Sequence, residues 1–109
     1  MISQQTVEKI LQFSHDRDWE QFHTPASLSR SISIEAAELL ECFQWQDEPR
    51  NGDWHAVEEE LADVLTYCVL MADSLHVDMD EIITAKLKKS AQKYPVEKAK
   101  GSSKKYNEI

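Results

Sequence analysis

Seven carboxylates fall in two short runs of this sequence, Glu35, Glu38 and Glu41 in one and Glu58, Glu59, Glu60 and Asp63 in the other. If both runs are helical, a rotation of about 100° per residue separates the carboxylates of a solvated face from those that face inward. Glu35 lies within about 40° of Leu28, Leu39 and Cys42, on the face that should be buried, and Glu38 lies one step round the same edge. In the second run the apolar stripe centres on Val57, Val64, Cys68 and Leu75. Glu60 sits at its margin beside Tyr67 and Met71, Asp63 borders it, and Glu58 and Glu59 point to solvent. The bland reading is two solvated acidic faces. Against it, four inward carboxylates on two facing helices are untenable without cations, because each buried charge costs several kcal/mol. An all-oxygen set with no histidine suits Mg²⁺ or Mn²⁺ better than zinc or copper.

Lys86 is a second candidate. At helical spacing it projects among Met79, Ile82, Ile83 and Ser90, a face where lysine seldom belongs. It either meets a phosphate or runs its stem along the apolar surface to water. Lys89 and Lys93 lie nearby and could do the same, although solvated lysines are usual near a helix end. Asp18-Trp19-Glu20-Gln21-Phe22-His23 puts two aromatics and a histidine into a connector, where small polar residues are the norm, so either a ligand or local packing must use them. Cys42 and Cys68 have neither CxxC spacing nor a Cys/His cluster and are expected as buried, reduced thiols.

Four helical segments must position these groups, and no sustained alternation suggests a strand, so the fold class is all-α. The first helix is expected from about Ser3 to His15, with Val7, Ile10 and Leu11 on one face. Thr24 followed by Pro25 predicts the N-cap and first residue of a second helix reaching about Trp45 or Gln46. The loop from Asp47 to Asp53 contains Pro49 and Gly52 and precedes a third helix ending near His76. That helix is apolar almost all the way round between Val64 and Ala72. So short a chain cannot cover it fully, which predicts burial against another subunit. Asp78 with Glu81 resembles a capping box opening a fourth helix, which Pro95 closes.

At 109 residues the chain has room for one core. We expect a domain over residues 1–95 and a Lys- and Ser-rich C-terminal tail over residues 96–109. A net charge of −8 argues against partnership with a nucleic acid polymer, which needs a basic surface. Nothing approaches the roughly 20 apolar residues of a membrane span, and the N-terminus lacks a signal-peptide layout, so a cytoplasmic location without membrane partners is expected.

The Glu35-Ala-Ala-Glu38 and Glu60-Leu-Ala-Asp63 pairs resemble the ExxE…ExxD signature of the MazG-like all-α nucleotide pyrophosphohydrolases. The segments Asp18 to His23, Glu41-Cys42-Phe43-Gln44-Trp45, Asp63 to Tyr67, and Lys86…Lys93-Tyr94-Pro95 are similar to those of the dCTP pyrophosphatase branch. The resemblance implies a helical bundle of about four main helices, assembled as a homodimer or homotetramer. It also implies a Mg²⁺-dependent enzyme, Mn²⁺ being a possible substitute, that hydrolyses a (d)NTP to (d)NMP and pyrophosphate. By that resemblance Glu35, Glu38, Glu60 and Asp63 bind the metal, and Glu35, Glu38 and Lys86 serve catalysis. Trp19, His23, Trp45, Tyr67, Lys86, Lys93 and Tyr94 become candidate nucleotide-binding residues. Ser90 departs from the asparagine common among related members.

Three other readings compete with this one. A di-iron carboxylate bundle needs Glu-x-x-His pairs on two helices, and only Glu20…His23 has that spacing. A non-catalytic helical interaction module would use the tryptophans and the apolar helix for protein contacts. A phosphoribosyl-ATP pyrophosphohydrolase shares the scaffold, but the Asp18 to His23 and Phe43 to Trp45 segments disfavour it.

Overall fold

The computed structural model describes residues 2–109, and all regular structure among them is helical. The main helices are α1 (Gln4–Asp16), α2 (Pro25–Glu41), α3 (Trp54–Ser74) and α4 (Met79–Lys93), with a short α5 (Val96–Ala99). Single 3-10 turns occupy Glu20–Phe22 and Arg50–Gly52. The start signals read at Thr24-Pro25 and Asp78 are present, the latter without the reciprocal half of a capping box, and Ser3 and Asp53 act as caps as well. Ser3 caps α1, accepting from the Thr6 N–H. Thr24 opens α2 through a reciprocal capping box with Ser27, and Pro25 follows at the first turn. Asp53 and Asp78 accept from the N–H groups of Ala56 and Glu81 at the starts of α3 and α4.

The end of α2 differs from expectation. The helix stops at Glu41, with Cys42 as its C-cap, so Trp45 lies on the following turn and not on the helix. The apolar period does continue through Phe43 and Trp45, but the stop is made from nine residues away. The Arg50 N–H donates to the Cys42 carbonyl at 2.8 Å and the Arg50 guanidinium to the Glu41 carbonyl at 3.2 Å. These bonds satisfy carbonyls that a helix end leaves orphaned. Asn51 and Gly52 then turn the chain through the left-handed region, with φ of 59° and 64°, before Asp53 caps α3.

The chain divides into two compact units, one ending at His76 and the other running from Val77 to Ile109. In the first, α2 and α1 both pack against α3. Its core contains Leu28, Val69, Leu70 and Ala72, and Pro49 is also fully buried in the α2–α3 loop. Leu28, Val69 and Leu70 of this core each contribute about 1.5–3 kcal/mol where the whole side chain leaves water. Large apolar side chains remain exposed beside this small core, among them Ile34, Leu40, Leu61 and Leu65. Leu75, placed on the buried stripe of α3 by its spacing, is also exposed. Cys42 and Cys68 are free thiols, half-buried rather than buried.

In the second unit α4 begins at Asp78 as expected, and Tyr94 is its C-cap. The segment expected as a tail includes α5, and Tyr106 packs edge-on against Tyr94 with ring centroids 6.2 Å apart. Lys93 Nζ lies 4.8 Å from the centre of the Tyr106 ring.

Candidate metal centre

Residues three apart on a helix share a face, so Glu35 and Glu38 of α2 lie together, as do Glu60 and Asp63 of α3. Packing of α2 on α3 turns the two pairs toward each other. One carboxylate oxygen from each of the four lies within 4.8 Å of the others. Glu35 and Glu60 are half-buried, while Glu38 and Asp63 are exposed. Glu35 Oε2 and Glu60 Oε2 are sealed from solvent with no hydrogen-bond partner, a costly state for a polar atom. The ion pairs among the described residues involve His15 and His55 only, with Glu20, Glu58 and Glu59 as acids. None reaches the cluster.

The electrostatics record the strain. Burial pushes the Glu35 carboxyl up from 4.5 to about 7, helped by a hydrogen bond with Glu38 and by the negative charges of Glu38, Asp63 and Glu60. Glu60 is raised for the same reasons, burial first and then its bond and repulsion with Glu38. Glu38 thus stands between the two inner acids. Orphaned oxygens on a set of acids that repel one another fit a hard divalent cation with oxygen ligands.

Two cavities open on this cluster. Asp63 helps line an aromatic cavity of about 400 Å³ between α1 and α3, with Phe13, Trp19, His23 and Tyr67 in its walls. Glu38 and Glu60 line a more polar cavity of about 480 Å³, which also receives Arg50, Asn51 and Asp53. The turn carrying Trp19 is tightly tied to α1. The Trp19 N–H donates to the Ser14 carbonyl at 3.0 Å, Asp18 adopts a φ of 54°, and His15 Nδ1 meets Glu20 Oε1 at 2.7 Å. Trp19 packs edge-on against Phe13 at 5.7 Å, and the Arg17 guanidinium lies 3.6 Å from the centre of the Phe13 ring.

Three of the residues expected at a nucleotide, Trp19, His23 and Tyr67, therefore share one cavity with a carboxylate of the cluster. Trp45 is elsewhere in the same unit, 85% exposed beside Gln44, Gln46 and Arg50. Lys86, Lys93 and Tyr94 belong to the second unit and are exposed. Sequence reasoning missed the share of α1 in the aromatic cavity. Ile10, Phe13 and Ser14 stand at i, i+3 and i+4, a spacing that marks one face and could have signalled it. It also missed Arg50, whose role depends on a contact nine residues back and left no local signal.

The description of the MazG-like family matches residues 30–109, a span that takes in all four clustered carboxylates. The chain belongs to the MazG-like family. This MazG-like chain is similar to dCTP pyrophosphatase 1 of Rattus norvegicus and of Homo sapiens. Each is 39% identical over 105 residues, covering 90% of this chain and 62% of the relative. The chain thus spans somewhat less than two thirds of the length of those relatives. The Bos taurus protein of the same name is 36% identical over 118 residues, covering 98% of this chain and 70% of the relative. The crystal structure of a pyrophosphatase from Archaeoglobus fulgidus matches with a TM-score of 0.73 at 37% identity, over 84% of this chain and 90% of that one.

Proposed function

We propose that this protein is a nucleoside triphosphate pyrophosphohydrolase that converts a (d)NTP, with dCTP or a related deoxynucleotide favoured, to the monophosphate and pyrophosphate. The observation that carries the proposal is the cluster of Glu35, Glu38, Glu60 and Asp63, with two sealed, partnerless oxygens and no ion pair reaching it among the described residues. Similarity to proteins named dCTP pyrophosphatase supports the reaction and the base. The same four residues would hold Mg²⁺, or Mn²⁺ in its place. A divalent cation bound there neutralises phosphate charge and makes water a better nucleophile near neutral pH.

The chain's own groups do the rest. The aromatic cavity takes the base, stacked on Trp19 with His23 and Tyr67 beside it, which directs the phosphates toward Asp63 and the other carboxylates. Glu38, the exposed acid beside the two inner carboxyls, orients the attacking water and accepts its proton. Water oxygen bonds to the α-phosphorus, the bond to the β-phosphate bridge breaks, and pyrophosphate leaves. Trp45, Lys86, Lys93 and Tyr94 carry over as nucleotide contacts on resemblance. Self-association, as a dimer or tetramer, is supported by the exposed Leu61 and Leu65 on the apolar α3.

The test incubates the protein and Mg²⁺ with a panel of ribo- and deoxynucleoside triphosphates and separates the products. Monophosphate plus pyrophosphate, abolished by chelation and by Glu38→Ala, is the expected result. Diphosphate plus phosphate, or turnover indifferent to Glu38, would overturn the proposal.

A further inference from the structure

Among the described residues, Ser14 is the one buried polar residue of the first unit's core, 3% exposed. Its hydroxyl takes part in none of the side-chain hydrogen bonds among the described residues. Other helical hydroxyls settle theirs locally: Ser33 donates to the Ser29 carbonyl at 3.0 Å, and Thr66 to the Ala62 carbonyl at 2.8 Å. Ser14 instead lies in the wall common to two cavities, the aromatic one of about 400 Å³ and a more polar one of about 650 Å³. His23 and Leu70 complete that shared wall. Ser14 Oγ is not among the atoms sealed from solvent without a partner, so the hydroxyl is open to this cavity space, where a ligand can supply its bond.

The backbone at this point is rigid. The Ser14 carbonyl accepts from both the Arg17 and the Trp19 N–H groups, so one short stretch fixes the hydroxyl and the indole together. Such a pair is preorganised, the stacking surface holding a flat ring while the hydroxyl meets its edge. Hydroxyl and imidazole each donate and accept, so Ser14 and His23 together can satisfy a donor and an acceptor on the ligand. Cavities of 300–1,000 Å³ are typical of small-molecule sites, and about 400 Å³ holds a base in that range.

We propose that the Ser14 hydroxyl, beside His23, hydrogen-bonds the polar edge of the nucleobase and sets which base this chain prefers. The inference rests on the nucleotide reading above and adds the residue that discriminates. Stacking on Trp19 tolerates any base, whereas a polar group placed for one base is left unpaired by the wrong one.

The test measures kcat/KM for the four deoxynucleoside triphosphates with the wild-type chain, Ser14→Ala and Ser14→Thr, together with each variant's Tm. Ser14→Ala is expected to melt no lower than wild type and to reduce the ratio between best and worst base about tenfold. Ser14→Thr keeps the hydroxyl and is expected to keep the order of preference, which also serves if the alanine variant fails to fold. An unchanged ratio in Ser14→Ala, or a reordered ranking in a folded Ser14→Thr, would overturn the inference while leaving the hydrolase standing. A wild-type chain that hydrolyses none of the four would overturn both.

Discussion

At the scale of single residues Glu35 is decisive. Its carboxyl is raised from 4.5 to about 7 by burial and by the acids around it, so the folded chain holds a proton that the unfolded chain has released. Because the native state binds more protons over this range, stability is highest below about pH 4.5 and is lost as pH rises through about 7. For this group alone, the metal-free protein is therefore expected to melt higher at pH 5.5 than at pH 8, and a divalent cation to raise the pH 8 value. Thermal melts with and without chelator measure both effects. Glu35→Gln, uncharged at every pH, is expected to melt above wild type at pH 8 without metal while losing at least a hundredfold in turnover, the usual conflict of a strained site with stability. A variant less stable than wild type under those conditions would show that Glu35 is not held under repulsion. Glu35 and Glu60 were legible in the sequence because an acid inside an apolar stripe violates the helical period. Ser14 was not, since a serine on that stripe of α1 violates nothing until the cavities beside it are seen.

At the scale of elements, α2 and α3 form a frame that holds two ExxE-type pairs face to face, and their caps set the register of the frame. The Thr24 side chain accepts from the Ser27 N–H at 3.1 Å and the Ser27 hydroxyl returns the bond. Thr24→Ala is expected to cost about 1 kcal/mol, read as a lower urea midpoint with an unchanged slope. The start of α2 was legible from Thr24-Pro25 alone, because caps are local chemistry. Its end was not. Trp45 looks helical by period, yet the terminus is written by Arg50 through two carbonyls at Glu41 and Cys42. Trp19 and Trp45, both expected at the nucleotide, line separate cavities of this unit.

At the scale of the whole molecule, apolar surface exceeds what one chain can cover. Leu40, Leu61 and Leu65 remain well exposed while the buried core is small, and exposed apolar patches of this kind mark interaction surfaces. Leu61→Glu with Leu65→Glu is expected to shift the protein to a smaller species in sedimentation velocity. An unchanged sedimentation coefficient would contradict self-association through this face. The all-α class and the four main helices were legible from periodicity and caps. The division after His76 was not, because Val77 and Asp78 read as an ordinary helix connection and compactness is a property of contacts rather than of residue types.

The central claim is that the four-carboxylate centre directs water onto the α-phosphorus. The most direct measurement is hydrolysis of the preferred triphosphate in ¹⁸O-labelled water with Mg²⁺, by wild type and by Glu38→Ala, with mass analysis of both products. One labelled oxygen is expected in the monophosphate, none in the pyrophosphate, and no turnover by the variant. Label in the pyrophosphate, or a variant as active as wild type, would contradict the claim.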